Sequence, residues 1–181
     1  MLCTLKHFPG HGDTLEDSHA GTATSTKTWE EMKAVELLPF EAGIAAGADV
    51  VMAAHITTPN ATEDGLPASL SYTMLTERLR GELGFTGVIC TDGLGMKAIT
   101  DHYSPAEAAI AALDAGDDLL LLPADLQEAF DGVVAAVESG RISEERLDES
   151  VRRILTLKEK AGLSLRASTP ADTLLDRLSR L

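Results

Sequence analysis

The chain has 181 residues, a formal net charge of -14, 44% hydrophobic and 24% charged residues. That length supports one domain with a substantial core, and the acidic balance argues against a protein that neutralises nucleic-acid phosphates with a basic surface. No run of about 18 apolar residues and no basic, then apolar leader is visible, so neither a membrane span nor a signal peptide is expected, and the cytoplasm is the simplest location.

Met1 to Lys6 is a short apolar run that reads as a buried strand. It leads into Lys6-His7-Phe8-Pro9-Gly10-His11-Gly12-Asp13-Thr14-Leu15-Glu16-Asp17-Ser18-His19, which holds three of the five histidines. The proline and glycines of that stretch forbid regular structure, and polar loops on a rigid scaffold are where chemistry concentrates. Thr28-Trp29-Glu30-Glu31 is a capping box and predicts a helix to about Ala46, bent at Pro39 and ended by Gly47.

Ala48 to His55 reads as a second buried strand, followed by a polar loop and a helix from Tyr72 to Leu83 capped by Ser71. Gly87 to Asp92 is a third strand, and Ser104-Pro105-Ala106-Glu107 opens a helix to about Ala115. Asp117 to Leu122 gives a fourth strand, Ala124 to Ser139 a helix, and Ser143 opens a last amphipathic helix ended by Gly162. Cys3 and Cys90 lie in the apolar runs and read as small buried thiols. A short helix is expected in the tail, Ser164 to Leu181.

Alternating buried strands and helices predict an α/β protein with a parallel sheet. No glycine-rich phosphate fingerprint follows any strand, which disfavours a doubly wound nucleotide-binding sheet. Lys6, His7, His55 and Asp92 all fall at C-terminal ends of strands, where a (β/α)8 TIM-type barrel carries its site. A whole barrel needs about 250 residues and eight strands. The expectation is therefore a partial barrel, about four βα units plus a C-terminal helix, with residues 1–162 forming the C-terminal half of the barrel and 163–181 a helical tail.

Asp17 and His19, two apart in an extended segment, point to one side, so the carboxylate can orient the imidazole as an acid/base; an ordinary loop pair is the alternative. Asp92 beside Gly93 and Gly95 is a candidate nucleophile or base, against a turn-capping role. Lys6 and His7 can bind hydroxyls or pair with an acid. His7, His11, Asp13, Asp17 and His19 are also potential metal ligands, but none has a recognised ligand spacing, and no metal or other cofactor is expected.

Lys6-His7-Phe8-Pro9-Gly10-His11-Gly12 with Asp17-Ser18-His19, then Pro67-Ala68-Ser69-Leu70-Ser71, Leu79-Arg80, Gly84-Phe85-Thr86-Gly87-Val88 and Thr91-Asp92-Gly93-Leu94-Gly95-Met96, resemble the glycoside hydrolase family 3 β-N-acetylglucosaminidases (β-hexosaminidases). The resemblance runs in order over about residues 2 to 160. It implies a retaining double displacement on terminal β-linked N-acetylglucosamine of cell-wall fragments, with Asp92 as nucleophile, His19 oriented by Asp17 as acid/base, and Lys6 and His7 on the sugar hydroxyls. Phosphorolysis and a non-catalytic glycan-binding or complementing fragment are the alternatives. Gly93 departs from the acid frequent at that place in the family, and the family's N-terminal half-barrel has no counterpart here. Open barrel edges predict inactivity of the isolated chain, or self-association.

Overall fold

A computed structural model describes residues 1–12, 14 and 23–163. Four parallel strands make the main sheet in the order of the sequence: β1 (Thr4–Phe8), β3 (Val50–Ala53), β5 (Val88–Gly93) and β6 (Leu119–Leu121). A small second sheet pairs β2 (Ala23–Thr24) with β4 (Ile56–Thr57), also in parallel. Helices α1 (Trp29–Ala34) and α2 (Leu38–Ala45) follow β1, the π-helix Thr73–Glu82 follows β3, and α3 (Lys97–Thr100) and α4 (Pro105–Ala115) follow β5. Then α5 (Leu126–Glu138) follows β6, and α6 (Glu144–Lys160) ends the described chain. These are four consecutive βα units with an added helix, the partial (β/α)8 barrel that the sequence predicts.

Side chains alternate across the sheet as strand geometry requires. Phe8, Val51, Ala53 and Ile89 face the helices and form one core with Trp29, Met32, Phe40, Met74 and Leu79. Val50, Val88 and Cys90 face the other way and pack with Met52, Leu121 and the α6 residues Ile154 and Leu157. Helix α6 therefore caps the face that would become the barrel interior. Its buried anchor is Asp118, which lies just before β6 and accepts from Arg80 Nη2 at 2.7 Å, Ser150 Oγ at 2.7 Å, Arg153 Nη1 at 3.0 Å and Ile89 N at 2.9 Å.

The capping boxes at Thr28–Glu31 and Ser104–Glu107 both form. Gly116 ends α4 with a φ of 119°, the left-handed conformation that glycine adopts without strain. The helix expected from Thr28 to Ala46 is broken rather than bent: Val35 leaves helical geometry, and Pro39 lies in the first turn of α2, where its missing N–H costs nothing. Ser71 caps as expected, accepting from Met74 N at 3.1 Å, although the helix it opens has the wider π-type hydrogen bonding. The first strand starts later than the apolar run suggests, so Lys6 and His7 lie inside β1 rather than at its end. Cys3 is exposed, because it precedes β1 at an unpaired sheet edge, whereas Cys90 is buried as expected. The expected tail helix, Ser164 to Leu181, lies outside the described residues.

Candidate active site

The end of the sheet to which every strand points is where the polar side chains gather. On β5, Asp92 shares the alternation of Val88 and Cys90, so it stands on the interior face at the C-terminal end. Its Oδ1 accepts from the Gly93 N–H at 2.8 Å. Its Oδ2 stands 3.8 Å from His7 Nε2, with the His7 and Asp92 side chains 30% and 19% exposed. At 3.8 Å the two groups are neighbours but too far apart for a hydrogen bond. One carboxylate oxygen is tied to the backbone; the other faces the histidine and the open face.

His7 precedes Phe8, whose ring packs edge-on against Phe40 in the helix-facing core, and this anchoring sets the imidazole on the interior side. Lys6, exposed, lines with His7 a cleft of about 460 Å³ that also includes Gly10, His11, Lys27 and Glu36. His11 meets His7 edge-on, with ring centroids 6.2 Å apart, and its Nδ1 lies 2.7 Å from Thr14 Oγ1. Lys27 pairs with Glu36 across the same cleft. Gly10, with a φ of 134°, passes so close to Glu36 that an added Cβ would stand 2.7 Å from the Glu36 Cβ. The structure thus brings Asp92 and His7 together and sets Lys6 beside His7 in the cleft, which Asp92 does not line. The expected acid/base pair, Asp17 and His19, lies outside the described residues.

Asp92 is held from below as well. Thr91 Oγ1 accepts from Leu121 N at 2.9 Å, and beyond the strand Leu94 N and Gly95 N donate to Leu121 O and Leu122 O at 2.8 and 2.9 Å. Among the described residues a Cβ at Gly93 would meet only the Met96 side chain, at 3.7 Å, so none of them dictates glycine after the candidate nucleophile. Burial pushes the Cys90 thiol, one turn of the pleat below Asp92, up to about 11, helped by the charges of Asp117 and Asp92. A thiol so placed stays protonated and is no competing nucleophile at neutral pH.

Sequence reasoning placed His55 at a strand end without a role. It is 1% exposed, with Nε2 3.0 Å from the Gly93 carbonyl and Nδ1 2.7 Å from Ser69 Oγ. Desolvation lowers its pKa, against the raising effects of the Gly93 carbonyl and the Asp92 charge. Ser69 belongs to the Pro67-Ala68-Ser69-Leu70-Ser71 stretch, so a signal existed, but only the fold pairs it with His55. Among the described residues no group of three or more His, Cys, Asp or Glu side chains is placed to hold a metal ion. Nor, among them, is any helix long and apolar enough to cross a membrane.

Residues 1–157 match the family described as "Glycosyl hydrolase family 3 N terminal domain". A curated protein named beta-hexosaminidase from Stenotrophomonas maltophilia (strain R551-3) is 45% identical over 135 residues, which cover 74% of this chain and 40% of that protein. A solved glycoside hydrolase family 3 beta-N-acetylglucosaminidase from Paenibacillus sp. str. FPU-7 superposes with a TM-score of 0.88 at 46% identity, over 93% of this chain and 33% of that one. A structure named beta-glucoside phosphorylase BglX superposes with a TM-score of 0.85 at 33% identity, over 94% of this chain and 32% of that one. The chain thus spans well under half the length of each of these relatives.

Proposed function

The chain belongs to glycosyl hydrolase family 3, and from that premise we propose that it supplies the catalytic half of a retaining β-N-acetylhexosaminidase acting on terminal β-linked N-acetylglucosamine. The observation that carries this reading is the divided carboxylate of Asp92: Oδ1 accepts from Gly93 N–H, and Oδ2 faces the open interior side next to His7. A nucleophile needs one oxygen aimed and unobstructed, with the other restrained so that attack follows one line.

In the proposed double displacement, Asp92 Oδ2 attacks the anomeric carbon and a glycosyl-enzyme ester forms as the bond to the leaving oxygen breaks. His19, oriented by Asp17, gives its proton to that oxygen, then takes one from the water that hydrolyses the ester. Lys6 and His7 hold sugar hydroxyls in the adjoining cleft. A histidine acid carries no negative charge in either protonation state, so an anionic cell-wall fragment meets no repulsion from it. We place this activity in the recycling of cell-wall peptidoglycan fragments in the cytoplasm.

The chain is the C-terminal half of its barrel in this reading, and it works when four further βα units complete the sheet. Strands β1 and β6 each pair on one side only among the described residues. Leu119 in β6 and Leu122 just after it are exposed, as are Leu126, Phe130 and Val134, spaced four apart along α5. Such a stripe beside an open strand edge suits another strand and its helix. Self-association through these edges is the competing fate of the isolated chain.

Co-production with the preceding half-barrel of the Paenibacillus relative, assayed on 4-nitrophenyl N-acetyl-β-glucosaminide, tests the reading. Activity is expected in the complex and not in either half, and Asp92→Asn abolishes it. Activity that persists in the Asp92→Asn complex would overturn the assignment. Phosphorolysis is the second reading, favoured by the superposition on a phosphorylase; release of a sugar 1-phosphate that rises with added inorganic phosphate would establish it.

A further inference from the structure

His55 is buried where a merely space-filling residue would be apolar, and both of its ring nitrogens are engaged. The Gly93 carbonyl only accepts, so His55 Nε2 carries the hydrogen and Nδ1 accepts from the Ser69 hydroxyl; the partners assign the tautomer. The chain is fixed before and after it: Ala54 N donates to Phe8 O at 2.8 Å and Ala54 O accepts from Ser69 N at 3.0 Å, while Ile56 lies in β4, paired with β2. The ring cannot turn without breaking a hydrogen bond at one end or the other. Desolvation keeps it neutral, so this is a fixed donor rather than a proton carrier.

The Gly93 carbonyl that His55 holds also accepts from Met96 N at 3.0 Å, across the turn by which the chain leaves β5. The N–H of the same residue donates to Asp92 Oδ1. His55 therefore ties that turn back to β3, and the turn in turn grips the carboxylate. We propose that His55, backed by Ser69, is a positioning residue for Asp92: it fixes the Gly93 unit whose N–H orients Oδ1 and so aims Oδ2. The catalytic consequence rests on the glycosidase reading above, whereas the geometric one does not.

The test uses the chain as it is, with His55→Leu and His55→Gln. Glutamine can donate to the Gly93 carbonyl and accept from Ser69; leucine fills space only. Hydrogen exchange at the Gly93 amide is read against Val51 and Ile89, amides within β3 and β5. His55→Leu is expected to raise Gly93 exchange about tenfold relative to those references, the scale of one net hydrogen bond, and His55→Gln to restore it to within about threefold. In the completed barrel, His55→Leu should lower kcat about 100-fold with KM little changed, since a misplaced nucleophile still leaves the sugar contacts intact, and His55→Gln should recover most of it.

If His55→Leu does not fold, Ser69→Ala substitutes for it, with a smaller rise in Gly93 exchange expected. Gly93 exchange that is unchanged in a folded His55→Leu or Ser69→Ala chain, or equally fast in the leucine and glutamine variants, would overturn the proposal. Faster Gly93 exchange in His55→Leu, restored in His55→Gln, together with a wild-type complex that shows no turnover, would uphold the positioning and defeat the glycosidase reading instead.

Discussion

His7 Nε2 and Asp92 Oδ2 stand 3.8 Å apart, one reaching from within β1 and the other from the C-terminal end of β5, with β3 between the two strands. The contact spans the width of three strands because both side chains take the interior side of the pleat. Among the described residues it gives Asp92 Oδ2 an imidazole neighbour but no side-chain hydrogen bond. In the completed barrel, His7→Phe should lower kcat/KM by about 2- to 10-fold, the range of one ordinary hydrogen bond to a sugar hydroxyl. Steady-state kinetics of the two proteins check it.

Asp118 anchors the opposite end of the sheet, and its side chain is 0% exposed between Arg80 and Arg153. Arg80→Ala removes one partner and also the donors that reach Gly87 O and Gly116 O at 3.0 and 3.3 Å. Breaking a buried pair in this way costs about 3 kcal/mol. Denaturant titration should show that loss, while the Asp92 end of the sheet keeps its Gly93 exchange pattern.

Asp117 is the neighbouring case with opposite sign. Both of its oxygens are buried without a hydrogen-bond partner among the described residues, and burial first, then the Asp118 charge, raises its pKa well above the ordinary carboxylate range. The folded state therefore binds this proton more tightly than the unfolded chain. The favourable contribution is complete below the unfolded value, near pH 4, and is lost as pH rises toward the folded one. Asp117→Asn should show a stability gain over the parent that grows as pH rises from about 4; thermal melts at a series of pH values measure it.

Gly10 has a φ of 134°, and a Cβ there would lie 2.7 and 2.9 Å from Glu36 Cβ and Cγ. Gly10→Ala therefore combines backbone strain with a collision at the cleft that Lys6 and His7 line. A loss of about 2 kcal/mol is expected, within the range for strained positions, with glycoside KM raised in the completed barrel. Gly12, with none of the described residues within 4 Å of an added Cβ, is the control.

The sequence showed the βα order because capping residues, glycine stops and continuous apolar strands are local signals. Ser104–Glu107 and Thr28–Glu31 needed no tertiary context to form their boxes. It misjudged the break between α1 and α2, where the capping signal continued into a helical pattern that Val35 and Pro39 divide. It also missed β2 and β4, two residues each, too short to have a period. For the site, strand-end placement singled out Asp92, His7 and Lys6, and the structure brings the first two together. The bond from His55 to Gly93 joins residues 38 positions apart and has no sequence period at all. The change from loop-end to in-strand for Lys6 and His7 follows from the pairing of β1 with β3, which apolar content alone does not reveal.

The account turns on Asp92 as the nucleophile. A 5-fluoro N-acetyl-β-glucosaminyl fluoride, incubated with the completed barrel and followed by peptide mass spectrometry, traps a slowly hydrolysed glycosyl-enzyme if the mechanism is retaining. One sugar adduct is expected on the peptide containing Asp92, absent in Asp92→Asn. An adduct on another residue, or full turnover by Asp92→Asn, would contradict it.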